Sequence, residues 1–225
     1  MGCGNVTIDG SKTNGAINSA NTCLEGINPY LVLDVMDHID STIHDVKTLR
    51  EVYRSGKRLK FLFFWSHKPK VQNHVGKECL SQWYPCTFEV DGVSYSSAEQ
   101  FMMAEKARLF NDQETLAQIL QARHPGAAKK YGRSVRGFAE SVWESNRSGI
   151  VVTGNYAKFS QNESLLAFLV RTQNRILVEA SPRDQIWGIG LGEEDERSDN
   201  PEEWQGLNLL GFALMEVRSM LENLD

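Results

Sequence analysis

A glutamate and a lysine on one predicted helix are the first residues whose types and spacing could do chemistry. In the stretch Ser96-Ser97-Ala98-Glu99-Gln100-Phe101-Met102-Met103-Ala104-Glu105-Lys106-Ala107-Arg108, Glu99 and Lys106 stand seven residues apart. At about 100° per residue they fall within roughly 20° of each other on a helix. Met102, Met103, Leu109 and Phe110 straddle them, so both charges sit in an apolar arc, while Gln100, Glu105 and Arg108 lie elsewhere on the wheel, on its wet side. Opposite charges framed in this way suggest a pocket wall with tuned ionisation, a carboxyl to move protons and an amine neutral enough to attack a carbon. Two plainer readings stand beside this one. Ser96-x-x-Glu99 is a capping box, in which the glutamate reaches back to the cap amide, and Glu99 with Lys106 would also serve as a buried structural ion pair.

Two further groups extend the candidate site. Arg133 and Arg136, three residues apart, could grip a phosphate, and Trp143 further along the same predicted helix could offer a flat surface to a base. Exposed arginines and a core tryptophan are the ordinary alternative. The apolar run Ile176-Leu177-Val178-Glu179 leads into a turn opened by Pro182, which puts Asp184 and Trp187 on a loop at a strand's end, where catalytic groups tend to lie. An aspartate capping its own turn is the alternative there. Gly188-Ile189-Gly190-Leu191-Gly192 has the wrong spacing for a dinucleotide fingerprint, and Glu193-Glu194-Asp195-Glu196 follows where a phosphate would need helix amides. No phosphate-binding P-loop and no nucleophile elbow occur, and His38, His44, His67, His74 and His124 show no metal spacing. The expectation is a site that uses neither metal nor cofactor.

The elements that must position these residues read as an α+β fold, predominantly helical with a small β-sheet. Strands are predicted at 60–65, 88–90, 93–95 and 175–180, with Asp91-Gly92 marking a hairpin. Helices are predicted at 97–110, 113–122, 125–131, 133–147, 155–172 and 208–224, with an irregular Gly-rich loop running to about 206. Residues 1–28 are rich in Gly, Asn, Ser and Thr and read as a flexible segment. From Asn28-Pro29 an amphipathic helical extension runs over 29–57, carried by Val32, Val35, Met36, Ile39, Ile43, Val46, Leu49 and Tyr53. The catalytic domain is then 58–225.

Composition narrows the partners. The 225 residues carry a formal net charge of −5 and are 41% hydrophobic, with no apolar run long enough to span a membrane. An acidic chain has no basic surplus for gripping duplex phosphates, which favours a nucleotide-sized substrate or an exposed strand. The four cysteines contain no C-x-x-C pair, as suits a reducing, cytoplasmic or nuclear setting. Met1-Gly2-Cys3 has Val6 where the lipidation pattern wants Ser or Thr, and no secretory signal opens the chain.

Taken in order, the motifs resemble the NADAR family, which includes the bacterial YbiA-like N-glycosidases. The resemblance spans about 60–222. It rests on Phe64-Trp65, Leu80-Ser81-Gln82-Trp83-Tyr84-Pro85, Ala98-Glu99-Gln100-Phe101, Gly132-Arg133, Trp143, Ala157-Lys158-Phe159-x-Gln161-Asn162, Leu177 to Gly190, and Trp204-x-Gly206-x-Asn208-Leu209-Leu210-Gly211. Gln82 stands where relatives often have Asn. The resemblance implies hydrolysis of a bond between a ribose anomeric carbon and an exocyclic amine. The expected substrate is ADP-ribosylated guanine, as a nucleotide or in single-stranded or otherwise exposed nucleic acid; ribosylamino intermediates of riboflavin synthesis are the alternative. It also implies that the family glutamate, tryptophan and aspartate fall on Glu99, Trp143 and Asp184. Catalysis is thus expected from Glu99, Lys106 and Asp184. Substrate binding is expected from Trp83, Arg133, Arg136, Trp143, Lys158, Glu179, Trp187 and Asn208, with no obligate protein partner. A module that binds ADP-ribose or NAD without cleaving it, and a partner-binding protein using the 29–57 helix, are the rival readings.

Overall fold

The computed structural model describes Met1 and residues 43–69, 71 and 74–222. The chain divides into two units, Met1–Asp37 and His38–Asp225, and the description below concerns the second. The segment 1–28 and the expected helix start at Asn28-Pro29 lie outside the described residues. A helix does form at Val46–Arg54 (α1), but Asp45 before it is extended backbone and caps it, accepting the Thr48 amide N–H at 2.7 Å. The single helix expected over 29–57 is therefore broken at Asp45, because a capping residue stops the helical ladder from running through it. Arg50 pins α1 to the domain, donating to the carbonyls of Pro201 at 2.8 Å and Trp204 at 3.1 Å.

Seven helices and four short strands among the described residues make an α+β fold dominated by helix. Phe61–Phe64 (β1) and Ile176–Glu179 (β4) pair in parallel, with Phe64 opposite Glu179. The apolar run of β4 lies at the heart of the core, with Leu177 and Val178 wholly enclosed, while β1 is partly exposed up to the buried Phe64. Phe88–Val90 (β2) and Val93–Tyr95 (β3) form a hairpin whose turn residues, Asp91 and Gly92, both take positive φ, the geometry that matches strand twist. The four strands make two separate pairs instead of the one small sheet expected.

Ala98–Leu109 (α2) is the central helix. It packs against Gln113–Leu120 (α3), Pro125–Gly132 (α4) and Glu140–Ser160 (α5). Close approach is set by small residues, since a side chain at Gly132 would strike Met103 and one at Gly154 would strike Phe101. Two sequence expectations are corrected on α2. Its cap is Ser97, which accepts from the Gln100 amide at 3.2 Å, so Glu99 takes no part in a capping box. Gln100 is buried, not wet: its amide donates to the carbonyls of Ile119 and Leu120 at the end of α3, and its oxygen accepts from Ser96. The expected helices 133–147 and 155–172 are also redrawn. Helix α5 runs unbroken through Gly149 and Gly154 because the second glycine is held against Phe101, and the break comes after Ser160, before Glu163–Arg171 (α6).

Leu209–Glu222 (α7) closes the fold against β4 and α5. No helix among the described residues is long and apolar enough to cross a membrane. Asn208, just before α7, is fully buried and ties this helix to the strand: its amide nitrogen donates to Leu177 O at 2.9 Å and its oxygen accepts the Glu179 N–H at 2.9 Å. It also sits at a φ of 51°, where an asparagine is tolerated and most side chains are strained. Asn208→Ala loses both bonds and adds that strain, so a destabilisation of about 2–3 kcal/mol is expected. In a thermal melt this reads as a midpoint lowered by roughly 4–10 °C; an unchanged midpoint would show that the clamp carries no stability.

Candidate active site

The carboxyl groups of the candidate site are brought together at the C-terminal end of the β1–β4 pair. Glu179 is the last residue of β4. Its backbone is held by Asn208 on one side and by the Ile189 N–H, which donates to its carbonyl at 3.0 Å, on the other. Its Oε2 is enclosed and has no hydrogen-bond partner among the described residues. Burial, the negative charge of Asp184 and that of Glu99 push its carboxyl up to about 8, with Lys129 opposing them.

Glu99 approaches from the first turn of α2. Its backbone N–H donates to the carbonyl of Gln82 at 2.9 Å, which joins the helix start to the 79–84 loop. The side chain is 2% exposed, and its Oε1 is likewise without a partner among the described residues. Burial raises its protonation range. Lys129 and a hydrogen bond from the Trp83 side chain oppose that shift, Asp184 adds to it, and Arg133 opposes it again. Asp184 itself is held in a turn, its Oδ1 accepting the N–H groups of Ile186 at 3.0 Å and Trp187 at 2.8 Å. This is the self-capping turn that the sequence left as an alternative, and it fixes the carboxylate's direction while leaving Oδ2 outside those two bonds.

Lys129, on α4, is a cation of this group that acts on both glutamates, and sequence reasoning missed it. Its Nζ stands 5.8 Å from the centre of the Trp83 ring, which also meets His67 at 5.7 Å. Lys129 lies three residues from both Gly126 and Gly132, on the face that small residues bring close to Trp83 and Met103, a contact that only the packing of α4 reveals. Gln82 is the other residue passed over. It is 7% exposed, and neither end of its side-chain amide has a partner among the described residues.

Lys106 occupies different surroundings. Its Nζ lies 4.1 Å from the Phe138 ring centre and 5.4 Å from that of Trp143. Burial lowers its pKa and Glu140 opposes that shift. It forms no ion pair with Glu99, and Glu99 feels Lys129 instead. Two helical turns, about 10 Å of rise, separate the two residues on α2, so the buried ion pair left open by the sequence is not formed. The result is an aromatic-walled amine at one end of a helix face and a cluster of two enclosed carboxyls, an aspartate and a lysine at the other.

Several residues expected to bind substrate are committed elsewhere. Lys158, fully buried, donates to the carbonyls of Cys79 at 2.6 Å and Ser81 at 2.9 Å, propping the loop that carries Gln82 and Trp83. Asn208 uses both ends of its amide on the β4 backbone. Arg136 is paired with Asp112 and Glu114 at the surface. Nor does Arg136 share a helix with Trp143: Arg133 caps α4, Gly137 turns the chain at a φ of 70°, and α5 begins only at Glu140. Of the two arginines only Arg133 acts on the carboxyl cluster. Trp187 is half-buried beside Asp184, its N–H held in the aspartate's turn. No group of three or more His, Cys, Asp or Glu side chains among the described residues is placed to hold a metal ion.

An enclosed pair of carboxyls with raised protonation ranges, one aspartate fixed by backbone amides and a neighbouring lysine, suits proton transfer to and from a sugar leaving group. Most of the chain is similar to known proteins. The NADAR domain model matches residues 63–222. An N-glycosidase of Acanthamoeba polyphaga mimivirus is 40% identical over 164 residues, covering 71% of this chain and 95% of that protein. A chloroplastic riboflavin biosynthesis protein of Zea mays, PYRR, is 33% identical over 136 residues, which are 57% of this chain and 20% of the relative. The solution structure of the Escherichia coli protein YbiA superimposes with a TM-score of 0.57 at 25% identity, covering 75% of this chain and 90% of YbiA. With a matched stretch that fills most of its length and a relative 40% identical over 164 residues, the chain belongs to the NADAR family.

Proposed function

We propose that this chain, a hydrolase of N-glycosyl bonds, cleaves the bond between a ribose anomeric carbon and the exocyclic amine of a guanine-like ring, its substrate being ADP-ribosylated guanine in a nucleotide or an exposed strand. The observation that carries this reading is the placing of Glu99 and Glu179, two carboxyls with enclosed and unpartnered oxygens, beside Lys129 and Asp184, where burial raises the protonation range of both. A glycosylamine opens when its nitrogen lone pair expels the ring oxygen, which needs a proton delivered there, and the departing amine needs another. Glu179, still protonated at neutral pH, is the donor, and Glu99 passes the second proton. Lys106, its pKa lowered among aromatic rings, attacks the opened C1 as a neutral amine. Its nitrogen adds to C1 and the former imine nitrogen takes up a proton, giving a geminal diamine. The guanine amine then leaves with a further proton as C1 forms a double bond to the Lys106 nitrogen, whose two protons pass to the carboxylates. Water positioned by Asp184 then adds to the lysine imine, returning the free amine and releasing the sugar.

The similarity to a riboflavin biosynthesis protein supports ribosylamino pyrimidine intermediates as a second substrate class for the same bond. An oligonucleotide carrying ADP-ribose on guanine decides between them: release of ADP-ribose is expected, with Glu99→Gln lowering the rate by about 100-fold or more. Tight binding with no release would make the protein a reader. Borohydride added during turnover is expected to trap the sugar on Lys106 and to leave Lys106→Ala unlabelled. An active enzyme that never yields an adduct would replace the covalent route with direct attack of water on a ribosyl cation held by the carboxylates.

The raised pKa of Glu179 makes two further predictions of definite sign. Turnover that needs its proton falls as the pH rises through about 8. Because the folded value lies above the unfolded one, this group's contribution to stability is complete below the ordinary carboxyl range and is lost as the pH climbs towards about 8. Glu179→Gln is therefore expected to melt higher than the parent chain at pH 9 and to gain nothing at pH 4. An equal difference at both pH values would mean that the carboxyl is not held protonated by the fold.

A further inference from the structure

The carboxyl cluster leaves one group unexplained. Gln82 is nine-tenths buried on a loop that cannot easily rearrange: Lys158 grips the carbonyls of Cys79 and Ser81 beneath it, and the Gln82 carbonyl itself accepts the Glu99 N–H. Yet its Nε2 and its Oε1 both lack a partner among the described residues. A buried amide with neither end satisfied is costly, and native structures keep one where a ligand supplies the missing bonds. The neighbouring orphan atoms, Glu99 Oε1 and Glu179 Oε2, are carboxyl oxygens suited to hydroxyl or amine donors. Gln82 differs from them in presenting a donor and an acceptor side by side in one plane.

The flat complement of a carboxamide is a second cis amide, which returns both hydrogen bonds at once. Trp83 follows Gln82 directly, and its ring stands 5.8 Å from Lys129 Nζ and 5.7 Å from the His67 ring, an aromatic surface of the kind that suits a planar heterocycle. We propose that Gln82 reads the lactam edge of the leaving base, its Oε1 accepting from the ring N–H and its Nε2 donating to the ring carbonyl, and so determines which amines this site releases. This inference rests on the N-glycosidase reading and specifies the chemistry of the leaving group.

The test measures binding, so it does not depend on turnover. The full chain and its Gln82→Met and Gln82→Asn variants are titrated with guanosine, inosine and 2-aminopurine riboside. The first two carry the lactam; the third is the same purine without it. The parent chain is expected to bind guanosine and inosine at least about tenfold more tightly than 2-aminopurine riboside, since a site built around a polar edge rejects the analogue that lacks it. Gln82→Met, which removes the amide at similar volume, is expected to bring the three within about twofold while melting no lower than the parent. Gln82→Asn, shorter by one methylene, keeps the order of preference but compresses it.

Equal binding of lactam and non-lactam ribosides by the parent overturns the proposal, as does a preference that survives in Gln82→Met. Failure of all three ribosides to bind overturns it as well. Loss of affinity on removing the ribose hydroxyls, with no effect of the lactam, would assign Gln82 to the sugar instead. The two readings separate cleanly. Lactam preference without release of sugar from any ribosylated amine leaves Gln82 as a base reader and retires the hydrolase. Release of sugar without lactam preference retires this inference alone.

Discussion

The charge of Asp184 adds to burial in raising the protonation ranges of Glu99 and Glu179, and Lys129 opposes it at both. Like charges in a water-poor enclosure cannot all ionise, because each added charge meets both lost hydration and its neighbours' field. The proton that stays behind is a consequence of that crowding. The protonation of Glu99 and Glu179 is therefore set by position, since both burial and the distance to Asp184 and Lys129 enter it. The rest of the fold serves to hold three chain segments at that spacing.

It does so with buried polar side chains turned towards the backbone. Asn208 joins β4 to the start of α7, Lys158 supports the 79–84 loop, and Gln100 links the start of α2 to the end of α3. Each satisfies carbonyls that would otherwise be stranded at an element's end. Each also stands one or two residues from, or directly beneath, a residue of the carboxyl cluster or its loop. Glycines complete the frame by letting α4 and α5 lie close against α2, which brings Lys129 within reach of Trp83.

Glu99 was legible in the sequence because a charge framed by Met102 and Met103 breaks the pattern of a core helix, and Asp184 because a proline-led turn follows an apolar strand. The family resemblance and the α+β class were legible for the same reason, that several short motifs keep one order. Lys129 was not, since a lysine among alanines and glycines reads as a solvated face until the packing of α4 is known. The partnership of Glu99 with Lys106 was inferred from angle alone. A helical wheel reports direction and is silent on the axial separation, which here keeps the two side chains from forming an ion pair. Lys158 and Asn208 stood in family motifs, but no periodicity could say that their polar atoms face backbone carbonyls. The course of α5 through Gly149 and Gly154 was hidden because glycine lowers helix propensity, and only the tertiary contact with Phe101 overrides it.

The parallel pairing of β1 with β4 carries a consequence for how this protein is made. Phe61, Leu62, Phe63 and Phe64 find their hydrogen-bonding partner only at Ile176–Glu179, more than a hundred residues later. A ribosome adding about 5–20 residues per second leaves that apolar strand unpaired for on the order of ten seconds. During that interval the nascent chain presents an unpartnered, aromatic strand edge, the kind of segment that aggregates or recruits a chaperone. The carboxyl cluster at the strand ends cannot assemble until the last third of the domain has emerged.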